Sequence, residues 1–372
     1  MTIGFSNPEY NTRRNIINRC YSADYVRVRS FSSLFRKLHI HIGPGAGFWG
    51  GVCNNPFKKV DLYHFWNQIC ITPVRRTPYI TSFEDVVPRY FLSRWAFNEG
   101  IRSLRSRQCR KLIAFSECAK MHQMKFDAKN DLRDLDRKIT VLLPPQEILS
   151  SVDEVENRNL DGCIRFGFIG KAFFRKGGMA ICNALARIRK EYPIELFMIG
   201  DIEYFDYAAN PLVDDCSLAY EFFDRNKEWA HYFKVLPNAK ALELMKSCHI
   251  GLLPTRDDTF GYSLLEMQAC GLPCITTDIW SLPEVNNDAC GWMIHLEKNE
   301  LRQADYFSND ALRVLDKKIE EGIYQACVDA LSNKEQLRQK SRNSLERIRT
   351  CHSSETYSNS LWAIYQEALD QS

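Results

Sequence analysis

The chain lacks any run of about 18 apolar residues, the least a membrane-crossing helix needs, and its start, MTIGFSNPEYNTRR, holds no apolar leader core. Neither an anchor nor export is therefore expected. No CxxC pair occurs among its 14 cysteines, and the closest two, Cys270 and Cys274, flank a turn. That excludes zinc-finger spacing and a disulfide framework, and it predicts a reduced, cytoplasmic protein. Internal repeats and low-complexity tracts are absent as well. A strand, G-x-G-x-x-G turn and helix in succession is also missing. GPGAGFWGG (43–51) holds the spacing at Gly45, Gly47 and Gly50, but GVCNNP follows with no helical pattern, which weighs against a Rossmann-type epimerase or dehydrogenase.

What is present points to two domains. At 372 residues the chain exceeds one typical core. Charge divides unevenly along it. Residues 1–150 hold 24 Lys+Arg against 12 Asp+Glu, a balance of +12, and the other 222 residues hold 25 against 34, a balance of −9. A basic first half favours an anionic partner there: nucleic acid, an anionic lipid face or a phosphorylated acceptor.

Short aliphatic runs alternate with helical patterns. Strands are expected at 25–30, 38–43, 62–66, 79–83, 111–116 and 138–144, with a basic amphipathic helix over 89–107. The second half gives strands at 164–170, 194–200, 249–255 and 273–278, and helices at 177–192, 240–248 and 262–270. This alternation predicts an α/β fold of parallel sheets with helices on both faces. The Pro-, Ser- and acid-rich stretch 144–162 reads as the boundary, giving an N-terminal domain over 1–150 and a C-terminal one over 163–350. The last residues, 351–372, read as a helix packing back on the first domain. The segment Asp201 to Lys227 breaks the alternation and reads as an insertion.

The stretch DTFGYSLLEMQACGLPCITTD (258–278) carries the main chemical signal. A strand ends at Pro254, a loop bears Asp257 and Asp258, and Gly261 opens a helix. Free N–H groups and the positive dipole end there suit a phosphate. At about 1.5 Å rise per residue, Glu266 sits deeper along the helix, at a distance that suits ribose hydroxyls. Standing alone, the pattern would read as a capping Asp and an exposed Glu. It does not stand alone: GKAFFRKG (170–177) follows the strand at 164–170, so Lys171 and Lys176 can flank one diphosphate.

Taken together these pieces resemble the retaining GT-B glycosyltransferases of the family-4, or group 1, type. D258-T-F-G-Y-S-L-L-E266-M-Q-A-C-G-L-P-C resembles the family's E-x7-E element, and G170-K171-A-F-F-R-K176-G177 its GR-x4-KG element. Pro254-Thr255 and SLPE (281–284) match further pieces in the same order. DLYHFWN (61–67), ITSFEDVVP (80–88) and AFSECAK (114–120) are looser counterparts in the first half. The resemblance implies two Rossmann-like domains facing each other across a cleft, with an acceptor-binding N-terminal domain and a C-terminal domain that binds a nucleotide diphosphate sugar as donor. It implies that Glu266 binds the ribose, Asp258 the donor sugar, and Lys171 and Lys176 the diphosphate. Gly170 and the backbone around Phe260, Gly261, Tyr262 and Ser263 would complete the cradle. It also implies retention of anomeric configuration and no cofactor. The acceptor would be a glycan hydroxyl, carried on a lipid diphosphate at the inner membrane face, as in assembly of bacterial surface polysaccharides such as lipopolysaccharide, O-antigen and capsule. Peripheral membrane contact through the basic half fits this, and a nucleic-acid partner does not.

Three departures stand out. Asp258 replaces the usual Glu, Lys171 replaces Arg and so loses a bidentate fork, and Glu84 stands where many members carry an active-site His. They keep open a non-catalytic, nucleotide-sugar-binding homologue. Asp134-Leu135-Asp136 mimics a D-x-D metal motif but lies in a charged run, which reads as a solvated face, so no essential metal is expected.

Overall fold

The computed structural model describes residues 1–6, 8–28, 59–70, 77–88 and 94–370. The expected strand at 38–43, the loop at 43–51 and the head of the 89–107 helix lie outside them. The chain divides into two compact units, one of residues 1–145 and 352–372 and one of 146–351.

In the first unit, strands β1 (Thr2–Phe5), β2 (Asp24–Arg27), β3 (Leu62–Trp66), β4 (Tyr79–Phe83), β5 (Cys109–Ala114) and β6 (Ile139–Val141) form a sheet. Among the described residues its order is β2-β1-β3-β4-β5-β6, and every pairing is parallel. β3 and β4 are buried at all five positions, as befits central parallel strands covered on both faces. The helix Ser354–Asp370 belongs to this unit. Its Tyr357 hydroxyl donates to the Asn15 carbonyl at 2.7 Å, and its Tyr365 hydroxyl meets His64 Nδ1 at 2.8 Å. His64 Nε2 lies 2.7 Å from Ser82 Oγ, so this histidine of the DLYHFWN stretch joins β3 to β4 and to the last helix. Burial pushes its pKa down to about 3, and the ring is neutral.

The second unit contains β7 (Ile164–Ala172), β8 (Ile194–Asp201), β9 (Ala230–Phe233), β10 (Ile250–Leu253), β11 (Cys274–Thr277) and β12 (Gly291–Ile294). Their order is β12-β11-β10-β7-β8-β9, again all parallel. This is the doubly wound 3-2-1-4-5-6 arrangement. Phe166, Phe168, Leu196, Leu252, Leu264 and Leu265 have no exposed surface. Truncating Leu264 or Leu265 to Ala would cost about 2–5 kcal/mol at such sites.

One expectation needs correction. The supposed insertion from Asp201 to Lys227 contains the helix Cys216–Arg225, the ordinary crossover from β8 to β9. Asp215 caps it, accepting from Ser217 N–H at 2.7 Å, and Ala219 and Phe223 bury its inner face at helical spacing. Only the loop 202–215 is irregular.

Candidate functional site

In a doubly wound sheet the strand order reverses beside the first strand, and the loops leaving the two strands there diverge to opposite faces and open a crevice. In the second unit that point lies between β7 and β10. The loop after β7 carries Lys176, and the loop after β10 carries Asp258. They meet directly: Lys176 Nζ donates to Asp258 Oδ2 at 2.8 Å, with both side chains 13% exposed.

Glycine sets this approach. Gly177, at φ +82°, precedes the helix Gly178–Ile188, and a Cβ there would stand 2.3 Å from the Pro254 carbonyl oxygen. Any side chain at 177 would therefore force the two loops apart. Gly170 serves Lys176 similarly, since a Cβ at 170 would lie 2.3 Å from Lys176 Cδ. Gly261, at φ +79°, precedes the helix Tyr262–Ala269. Two helix starts with no side-chain cap thus flank the Lys176–Asp258 pair.

Asp258 Oδ1 accepts from Gly261 N–H at 3.0 Å and from Phe260 N–H at 3.4 Å. Burial alone would raise its pKa. Lys176, Arg175 and the Gly261 N–H outweigh that and hold the carboxyl below its ordinary range, so it is ionised at neutral pH.

The expected residues fall out unevenly. Gly170 lies near the end of β7, and Lys176, Asp258, Phe260, Gly261, Tyr262, Ser263 and Glu266 belong to the two loops and the helix after β10. Phe260 is only 1% exposed, so its side chain packs inside, and its N–H and that of Gly261 serve Asp258. Glu266 is buried one turn beyond Tyr262, on the same helix face. Ser263 Oγ is buried with no hydrogen-bond partner. Lys171 differs from expectation: it is exposed at the end of β7, its Nζ 3.9 Å above the Tyr204 ring. The second cation beside Asp258 is Arg175, whose Nη1 lies 4.0 Å from Asp258 Oδ2 while its Nε donates to Asp206 at 2.6 Å. Glu84 belongs to the first unit, in the bend that follows β4.

Sequence reasoning missed Arg175 and the network behind the loop, in which Arg256 binds Asp214 and Asp316, and Asp257 binds Tyr207, Trp280 and Tyr306. The readable signal was a run of three charges, Arg256-Asp257-Asp258, after a buried strand, where full solvation of all three is improbable. Asp134 of the apparent metal motif is held by Arg105 through Nε at 3.0 Å and Nη2 at 2.9 Å. Among the described residues no group of three or more His, Cys, Asp or Glu side chains is arranged to hold a metal ion.

Residues 164–308 match the family model for glycosyl transferases group 1. No curated protein sequence matches the chain. Among solved structures, Anabaena HepE in complex with UDP superposes with a TM-score of 0.63 at 13% identity over 98% of each chain. A glycosyltransferase from Rickettsia africae gives 0.61 at 16% identity, covering 100% of this chain and 99% of that one. WaaG, a glycosyltransferase involved in lipopolysaccharide biosynthesis, gives 0.55 at 15% identity with the same coverage. At such identities the likeness speaks for the fold, which is that of the GT-B glycosyltransferases.

Proposed function

We propose that the protein moves a sugar from a nucleotide diphosphate sugar to a hydroxyl of a glycan acceptor, without a metal ion and with retention of configuration. The observation that carries this reading is the meeting of Lys176 and Asp258 at the strand-order switch, between two glycine-capped helix starts. Negative charge builds on the departing diphosphate during sugar transfer, and fixed positive groups that neutralise it lower the barrier. Lys176, Arg175 and the N-terminal ends of the two helices supply that potential. Asp258 has the complementary task. Its ionised carboxylate accepts hydrogen bonds from sugar hydroxyls and orients the anomeric carbon. Glu266 is assigned the ribose. The complexes of HepE with UDP and with UDP-glucose support a donor of this class.

Acceptor binding is assigned to the first unit, with Glu84 as its candidate polar group. The +12 balance over residues 1–150 supports an anionic, lipid-diphosphate-linked glycan, and the role of WaaG in lipopolysaccharide biosynthesis supports a surface polysaccharide. No described helix is long and apolar enough to cross a membrane, and the membrane contact proposed is peripheral. A second reading, donor binding without turnover, draws on one observation: Lys171 leans on Tyr204 instead of joining Lys176.

The test is turnover of UDP-, GDP-, dTDP- and ADP-sugars with EDTA present, with and without a lipid-diphosphate sugar acceptor. Release of nucleoside diphosphate from one donor, abolished by Asp258→Ala and Glu266→Ala, is expected. Tight donor binding with no release under any acceptor would favour the second reading. Loss of release on adding EDTA would overturn the metal-free mechanism.

A further inference from the structure

Directly before Asp258 stand two side chains occupied wholly by protein partners. Arg256 is 2% exposed. Its Nη1 and Nη2 hold Asp214 at 2.9 and 2.7 Å, its Nε and Nη2 hold Asp316 at 2.7 and 2.6 Å, and Nη1 also donates to the Ala208 carbonyl at 3.1 Å. Asp257 accepts from the Tyr207 hydroxyl at 2.9 Å on one oxygen, and from Trp280 Nε1 and the Tyr306 hydroxyl, both at 3.0 Å, on the other. Tyr207, Ala208 and Asp214 all belong to the irregular loop 202–215. That loop also reaches the other side of the site, where Asp206 accepts from Arg175 at 2.6 Å and the Tyr207 ring lies 5.2 Å from the Arg175 guanidinium carbon. One stretch of chain therefore grips both loops that carry the Lys176–Asp258 pair.

We propose that Arg256 and Tyr207 are positioning residues for the donor site, bolting the loop 202–215 to the loop 254–258 and so fixing where Asp258 stands relative to Lys176. This rests on the reading of the site given above. A buried guanidinium between two carboxylates is a weak source of net stability, because desolvation offsets most of the attraction. What it does supply is geometry. Its planar fork sets the angle between Asp214 and Asp316, which a lysine ammonium cannot do. Displacing a binding group by about 1 Å can cost a factor of about a hundred in rate or affinity.

Two variants test this, Arg256→Lys and Tyr207→Phe. Tyr207 is 64% exposed and would lose only a hydroxyl, so it keeps the test valid even where Arg256→Lys folds poorly. The readouts are amide hydrogen exchange over residues 254–262, binding of UDP, GDP, dTDP and ADP, and donor KM against kcat. Expected are faster exchange confined to 254–262, roughly tenfold in Arg256→Lys and a few-fold in Tyr207→Phe, and a fall in kcat in the same order, with no rise in diphosphate Kd. The kcat should change more than KM, because the group displaced is Asp258, which is assigned to the anomeric carbon and opposes the diphosphate at Lys176. Unchanged exchange and kcat in folded Tyr207→Phe overturn the proposal, as does a loss of activity that merely tracks the unfolded fraction. Faster exchange in the variants of a protein that itself binds none of the four diphosphates would leave the bolt intact and sink the donor-site reading instead.

Discussion

Lys176 and Asp258 form an ion pair across 2.8 Å, so the cation assigned to the diphosphate is already matched by the carboxylate assigned to the sugar. An anion arriving at Lys176 meets a charge that Asp258 partly cancels. Asp258→Asn removes that competition and keeps an oxygen for the Gly261 N–H. At the effective dielectric of a half-buried site, such a charge change is worth about 1–2 kcal/mol of diphosphate affinity. Nucleoside diphosphate should therefore bind about tenfold tighter to Asp258→Asn, while sugar transfer falls by about a hundredfold or more. Calorimetric titration with UDP beside a turnover assay checks both. Weaker binding by a folded variant would mean that Asp258 supports the diphosphate site instead of opposing it.

The close approach of the loops makes Gly177 a second test. Alanine at φ +82° is strained, and its Cβ would collide with a backbone oxygen, Pro254 O, that cannot step aside alone. Gly177→Ala should cost about 2 kcal/mol or more and weaken donor binding beyond what instability explains. Gly162→Ala is the control, since a Cβ there meets only the Asn159 side-chain amide at 3.7 Å. Thermal melts of the two proteins should differ by several degrees. Equal melts would show that the loops tolerate separation at Gly177.

How much of this was legible in the sequence depends on the local pattern. LYHFW and YITSF coincide with β3 and β4 because buried parallel strands write themselves as continuous apolar runs. β9 (AHYF) and β12 (GWMI) were missed because each has only four residues and lies at a sheet edge, too short for a periodicity. At the site, glycines and charges after strand ends were readable. The pairing of Lys176 with Asp258 was not, since it joins residues far apart in the chain. Lys171 was matched to a diphosphate by its place in a motif, and nothing in the sequence marks Tyr204 as the ring it lies on.

His64 and His249 together predict acid lability. His64 is buried and bonded to Tyr365 and Ser82, and burial lowers its pKa to about 3. His249 accepts the Arg165 N–H at 2.9 Å, and burial, with Arg158 and Arg165 adding to it, lowers its pKa to about 4. Both rings are neutral in the folded chain, whereas the unfolded chain takes up protons below about pH 6.5. Stability is therefore full above pH 6.5 and falls as the pH drops towards the folded values, because the unfolded state binds more protons across that window. By pH 5 each site contributes a loss on the order of 2 kcal/mol. Denaturant melts from pH 7.5 to 4.5 should show this decline. His64→Gln, which keeps a donor and an acceptor but cannot titrate, should lower stability at pH 7.5 yet flatten the acid limb. Parallel pH profiles for the two proteins would rule out His64 as the source.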